Sequence, residues 1–464
     1  MSDDVIPLSA LDRCFEGAVP AVIATASAGG TPNVTYLSKV RRTDDEHIAV
    51  SNQFFSKTSR NLAENPSASM LMIDPVSYDE FRLAVEYVRT EKRGAVFDQL
   101  RDDVATVAAM QGMEDVFRLR AADIYRVLTI DQHPARIRPS DPEYATGSAG
   151  PRVVDASRDG ELLAELTRRV GRSPDLDTLV GTAVSGLADL FGYDNCILLL
   201  ADERGERLYT IASHGYDEQG VGSEVVIGEG VVGMTAARCR AIRVGNLKQM
   251  TKYSGTVRRA IEREGETAGR DIALPGLVDA QSQLAVPAQA LGELVGVLMV
   301  ETEAAVAFDD ADQHRLEIVA SMLAGAIEIE RSRARADTTV APSTRLTTPT
   351  APESHPTLVR YFPIDGSTFL DGDYLIKGVA GRILWSLLQA HAADGRTEFT
   401  NREVRLDPSL ELPEFRDNFE SRLILLKRRL DERRAPVRIE KTGRGRFRLV
   451  VDGALSLTQG SEQL

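Results

Sequence analysis

Strand-length apolar runs and helix-length amphipathic runs alternate along this chain in three separate blocks. In the first, Val19–Thr25 is a β-rich run, Ala28-Gly29-Gly30 turns the chain, and Pro32–Val40 and Glu46–Ser51 follow. Short apolar runs punctuated by glycine predict antiparallel hairpins. Ser51–Leu62 reads as a strand end passing into a short helix that stops near Asn65-Pro66. Val96, Leu100, Val104 and Val107 then recur at helical spacing, and Val116–Val127 is a closing strand.

The second block opens with Leu162, Leu163, Leu166 and Val170, then Val180, Ala183, Val184, Leu187 and Phe191, which predict two amphipathic helices. Buried-type strands follow at Cys196–Leu200 and Arg207–Ser213, around the turn Asp202-Glu203-Arg204-Gly205. A further hairpin is predicted from Ser282–Pro287 and Leu294–Val300, and Asp312–Glu330 reads as a final helix. Helix–sheet–helix order of this kind predicts an α+β sandwich.

The third block predicts a helix over Lys377–Ala392 and a second, capped by Asn401, from Arg402 to about Leu406. A longer amphipathic helix is expected over Phe415–Arg434, and a hairpin from Val437–Glu440 and Arg446–Val451 around Thr442-Gly443-Arg444-Gly445. Two stretches without apolar periodicity separate the blocks: Pro139 to about Asp155, and a Thr/Pro/Ser/Ala-rich segment over 331–356 whose composition predicts flexibility. The expected units are 1–138, 155–330 and 357–464.

Composition bounds the chemistry. With 464 residues, 43% hydrophobic and 27% charged, the chain has a globular composition and room for about three domains. No apolar run spans a bilayer, and Met1-Ser2-Asp3-Asp4 is not a signal-peptide start, so the expectation is a cytoplasmic protein without a membrane partner. Cys14, Cys196 and Cys239 are scattered without metal-ligand spacing, and no catalytic triad or paired carboxylates stand out. The net charge of −14 argues against nucleic acid only if it is evenly spread. It is not: residues 421–450 hold 11 Lys and Arg against 3 Asp and Glu, leaving −22 on the rest.

Two groups of residues carry candidate chemistry. Ser56, Lys57, Thr58 and Arg60 gather where a helix begins, and free amides, helix dipole and cations there suit an anion such as a phosphate. The alternative is an N-cap with solvated basic residues. In the third block, Arg422, Lys427, Arg428, Arg429, Arg433, Arg444 and Arg446 lie on a helix and hairpin tip that suit duplex DNA, the helix in the major groove and the hairpin on the backbone. Here the alternative is a solvated basic helix laced with salt bridges. Gly228–Gly233 lacks the Lys-Ser/Thr ending of a phosphate loop and reads as a turn opening a helix.

Three resemblances follow from these motifs. Gly30-Thr31-Pro32-Asn33-Val34, with Ser56-Lys57-Thr58 preceding Asn65-Pro66, resembles the pyridoxamine 5′-phosphate oxidase family. That resemblance implies an antiparallel split β-barrel binding FMN in a dimer interface. It places Ser56, Lys57 and Thr58 at the flavin phosphate, with Arg60 nearby, and Thr35, Tyr36 and Leu37 along the isoalloxazine. Relatives also hold haem or a deazaflavin; His47 and His133 are the residues a haem would call on, though a lone His is more often structural. The middle block, with Gly228–Gly233, Leu284–Pro287 and Gly296–Glu301, resembles GAF domains, which implies a small-molecule ligand or a dimerisation role. The segments Arg422–Leu430 and Thr442–Leu449 are similar to the response-regulator winged helix family, which implies DNA binding, although such folds also bind proteins.

Together these readings imply a multidomain, homodimeric, signal-responsive regulator: barrel and GAF domain sense redox state or a small molecule, and the winged helix binds DNA. The alternative is an FMN-dependent oxidoreductase with GAF and winged-helix regulatory modules.

Overall fold

A computed structural model describes residues 6–15, 19–53, 56–75, 77–110, 118–135, 156–245, 247, 272, 274–336, 356–410, 412, 419–443 and 445–460. Both expected linkers fall largely outside the described residues, as does Arg444.

The first block is a seven-stranded antiparallel sheet in the order β2-β1-β5-β6-β7-β4-β3. Its strands are β1 (Ala21–Ala26), β2 (Pro32–Leu37), β3 (Val40–Arg42), β4 (His47–Asn52), β5 (Ser67–Ile73), β6 (Glu80–Glu91) and β7 (Ala121–His133). Helix α1 (Lys57–Glu64) follows β4, and α2 (Ala95–Met110) joins β6 to β7. Ile23, Leu37, Ile48, Val50, Met70, Leu83 and Tyr125 fill the interior. The strands β5 and β6 were not anticipated. Yet β6 alternates as a half-buried strand should, with Phe81, Leu83 and Val85 inward and Arg82 and Ala84 outward.

The middle block has a six-stranded antiparallel sheet, order β10-β9-β8-β13-β12-β11. These are β8 (Asn195–Ala201), β9 (Arg207–His214), β10 (Glu224–Val226), β11 (Ile242–Val244), β12 (Ser282–Ala290) and β13 (Glu293–Thr302). Helices α4 (Leu176–Phe191) and α6 (Asp310–Ala336) pack on this sheet, α3 (Ala156–Gly171) packs against those two helices, and α5 (Gly230–Arg238) packs on β12 and β13. Gly233 is required there: a Cβ would lie 2.3 Å from the Val226 carbonyl oxygen, so the glycine run serves close packing of α5 on β10.

The last block begins with three strands that the sequence reading passed over, β14 (Thr357–Phe362), β15 (Ser367–Leu370) and β16 (Asp373–Ile376). Helices α7 (Gly378–Asp394), α8 (Asn401–Arg405) and α9 (Phe419–Glu432) follow, with β17 (Glu398–Thr400) between the first two. The hairpin of β18 (Val437–Gly443) and β19 (Arg446–Val451) comes next; β19 also pairs with β17, and β20 (Leu455–Gln459) lies parallel to β14. The cap of α8 is Thr400 rather than Asn401. Its hydroxyl accepts from the Glu403 amide while Glu403 accepts from the Thr400 amide, a reciprocal capping box.

Middle and last blocks share one continuous hydrophobic core, which runs from Leu187, Leu198 and Leu323 to Leu384, Leu425 and Phe447. The first block meets the middle one through α2, where the Asp102 carboxylate pairs with Arg240 at 2.9 Å and its carbonyl accepts from Arg238. No helix among the described residues is long and apolar enough to cross a membrane.

Candidate functional site

The first candidate site is the junction of β2 with the N-terminus of α1. Asn33 Nδ2 donates to Thr58 Oγ1 at 3.0 Å, and Lys57 Nζ donates to the Pro32 carbonyl at 3.5 Å. Ser56 stands at the N-cap, yet its side chain makes no capping bond and the first turn carries no acidic residue. The leading amides of α1 therefore keep their positive field for an outside anion. Ser56, Lys57 and Arg60 are exposed around it, whereas Thr58 is buried. Arg60 Nε donates to the Ser56 carbonyl at 3.3 Å, so its guanidinium stays over the same turn.

Along β2 the pleat divides the remaining candidates. Tyr36 is 75% exposed, Thr35 is half-buried on the opposite face, and Leu37 is buried in the core of the first block. Leu37 could thus meet a ligand only through its backbone. Tyr36 shares its face with exposed Val34, an apolar pair on an edge strand of the sheet.

Residues that sequence reasoning missed extend the site inward. Asn52 Nδ2 donates to Asp123 Oδ2 at 2.8 Å and reaches Ser59 Oγ at 3.4 Å, while Thr90 Oγ1 donates to Asp123 Oδ1 at 2.6 Å. Burial raises the Asp123 pKa, and the two hydrogen bonds only partly offset it. Beside Asn52, Gln53 is 2% exposed and neither amide atom has a partner among the described residues. Uncapped amides, clustered cations and an unsatisfied buried amide fit a phosphate-bearing ligand. His47 is held by Asp44, and no cluster able to hold a metal ion occurs among the described residues.

The second site is a cavity of about 230 Å³ in the middle block, lined by Val225, Glu229, Val232, Gln283, Met299 and Glu301 among others. Glu301 is buried and already accepts from the Leu277 amide and Gln283 Nε2. Burial pushes the Cys14 and Cys196 thiols up to about 12, which makes them core residues rather than nucleophiles; Cys239 is exposed.

The third site is α9 with its hairpin, and here the structure places the basic residues unevenly. Arg422 makes a bidentate pair with Glu203, 2.9 and 2.8 Å, and lies 3.8 Å over the Tyr209 ring. Lys427 and Arg428 both bind Asp177, at 2.8 and 2.7 Å. Arg429 is turned into its own block, donating to the Leu375 carbonyl and pairing with Glu432. Arg433 and Arg446 are exposed. The basic helix is therefore salt-bridged, and apart from the local Arg429–Glu432 pair its carboxylate partners lie more than 200 positions away.

Comparison with known proteins bears on the first two blocks. Residues 9–128 match the pyridoxamine 5′-phosphate oxidase family, and residues 175–327 match the GAF domain family. Among solved structures, the GAF domain of an Acinetobacter phosphoenolpyruvate-protein phosphotransferase is 24% identical, covering 40% of this chain and 99% of that one, with a TM-score of 0.31. An FMN-binding protein from Syntrophomonas wolfei is 19% identical over 28% of this chain and 93% of its own, with a TM-score of 0.23. Free methionine-R-sulfoxide reductase from Neisseria meningitidis, solved with its substrate, is 20% identical over 43% and 99%, with a TM-score of 0.30. No curated protein matches the chain.

Proposed function

We propose that this chain is a signal-responsive regulator in which the first block holds FMN, the GAF domain takes a small molecule, and the last block binds DNA. The observation that carries the flavin assignment is the uncapped N-terminus of α1. It is flanked by Lys57 and Arg60, tied to β2 through Asn33–Thr58, and lies inside the segment that matches the pyridoxamine 5′-phosphate oxidase family. Bound there, FMN would supply redox chemistry through its isoalloxazine. The chain's own residues would hold the phosphate at Ser56, Lys57 and Arg60 and seat the ring along β2. The exposed Val34–Tyr36 face on the edge of the sheet suits a second copy of this chain, which would cover both edge and cofactor.

Support for the DNA reading lies in the order of elements in the last block. Three helices lead to a two-stranded hairpin, with the basic helix α9 immediately before it. Exposed Arg433 and Arg446 present charge from both elements.

Titration with FMN tests the cofactor reading. Flavin fluorescence should change saturably on adding the protein, Lys57→Ala should weaken binding, and Lys57→Arg should restore most of it. Flavin fluorescence indifferent to the protein would end the reading.

A further inference from the structure

Three of the cations assigned to DNA already hold anions of the middle block. Arg422 is forked on Glu203, with both side chains about nine-tenths buried: 11% and 10% exposed. Arg428 donates to the Asp177 carboxylate at 2.7 Å and also to the carbonyls of Ile211 and Asp177, each at 2.8 Å. Lys427 shares Asp177, and Lys441 on the hairpin reaches Asp175 at 2.8 Å. Every acid in this set lies in the GAF segment, and every base lies on α9 or β18. Small residues let the surfaces close. A Cβ on Gly181 would sit 3.6 Å from Arg428 Nη2, and one on Gly222 would sit 3.6 Å from Leu425 Cδ2.

A carboxylate taking an Arg in a bidentate fork uses the same donors, in the same plane, that a phosphate would take. Asp175 and Asp177 at the start of α4 and Glu203 in the β8–β9 turn thus present anions to the basic face of one helix and one hairpin. We propose that this acidic face of the GAF domain is a phosphate mimic that binds α9 in place of duplex DNA, so that docked and DNA-bound helix exclude each other. The inference rests on the DNA-binding reading above and adds its control. It also gives the ligand cavity a route to the output. On β10, Val225 lines the cavity while its neighbour Glu224 pairs with Lys377 at 3.4 Å, just before α7.

The test uses the intact chain and a labelled mixed-sequence duplex, with hydrogen exchange following the amides of α9 and β9. In Asp177→Asn/Glu203→Gln, α9 and β9 should lose protection and duplex affinity should rise about tenfold or more, because a mostly docked helix lowers apparent affinity by its undocked fraction. Freeing three cations should also steepen the salt dependence by about 2–3 in log–log slope. Asp177→Asn alone, isosteric and near the surface, should give a smaller change of the same sign and serves if the double variant does not fold. Equal affinity for wild type and a variant with released α9 would overturn the mimic and leave DNA binding standing. Retained protection of α9 in both variants would overturn it as well, since the charges would not hold the helix. No duplex binding by either protein with α9 released would remove the DNA reading and the mimic together.

Discussion

Leu425→Ala tests whether the middle and last blocks are one cooperative body. Leu425 is 2% exposed on α9 and packs over Gly222, which offers no side chain to fill a gap. The substitution removes about three carbons, worth about 0.8 kcal/mol each in transfer. A cavity that cannot collapse onto a glycine adds to this, so the cost should fall near 3–4 kcal/mol, within the roughly 2–5 seen for such changes. For a body of roughly 300 residues that corresponds to a fall in Tm of roughly 5–7 °C. The protein has a single tryptophan, and Trp385 is stacked on Tyr361 with ring centroids 4.8 Å apart, so its fluorescence reads the last block alone. Hydrogen exchange on β8 and β13 reads the GAF sheet independently. Both should shift together in the variant. A Tm change under about 2 °C, or a tryptophan transition that moves while the GAF sheet keeps its protection, would refute the shared core.

Three further outcomes follow from other contacts. Glu203 and Asp177 are pushed up by burial, but Arg422, Lys427 and Arg428 more than compensate and hold both pKa values below the usual carboxylate range. A depressed carboxylate stabilises above its unfolded pKa and loses that contribution as pH falls through the folded value, so exchange protection of α9 should be flat from pH 8 to 5 and fall only below about pH 4. Loss of protection near pH 6 would contradict the assignment. Gly296→Ala should destabilise the GAF sheet by several kcal/mol, because its Cβ would lie 2.0 Å from the Leu199 carbonyl oxygen between paired central strands; an unchanged melt by circular dichroism would count against that packing. Asp123→Asn should raise stability at neutral pH, since Asp123 is buried and its carboxylate is disfavoured there, with denaturant midpoints as the readout.

How much was legible in the sequence depended on range. The amphipathic helices α3, α4, α6 and α7 could be read because their apolar period is local, as could the β8–β9 and β12–β13 hairpins. The strands β14 to β16 escaped because they are short and separated by tight turns at Gly366 and Gly372, both at positive φ. Around α1, cations at a helix start pointed to an anion site, but nothing local announced that Asn52, Asp123 and Thr90 would meet beneath it. The same limit hid the fate of the basic helix. Its charge was plain in the sequence, but the partner of Arg422 lies 219 positions away and that of Arg428 lies 251 away. Only the fold shows that this charge is neutralised from outside its own block.

Duplex binding by the intact chain at low salt, repeated across a salt series, tests the regulator most directly. The account predicts binding that weakens steeply as salt rises, that falls further in Arg433→Ala and Arg446→Ala, and that strengthens in Asp177→Asn/Glu203→Gln. Failure of both the wild type and that released variant to bind at the lowest salt, alongside FMN-dependent turnover of a reduced substrate, would contradict it and make the protein an oxidoreductase.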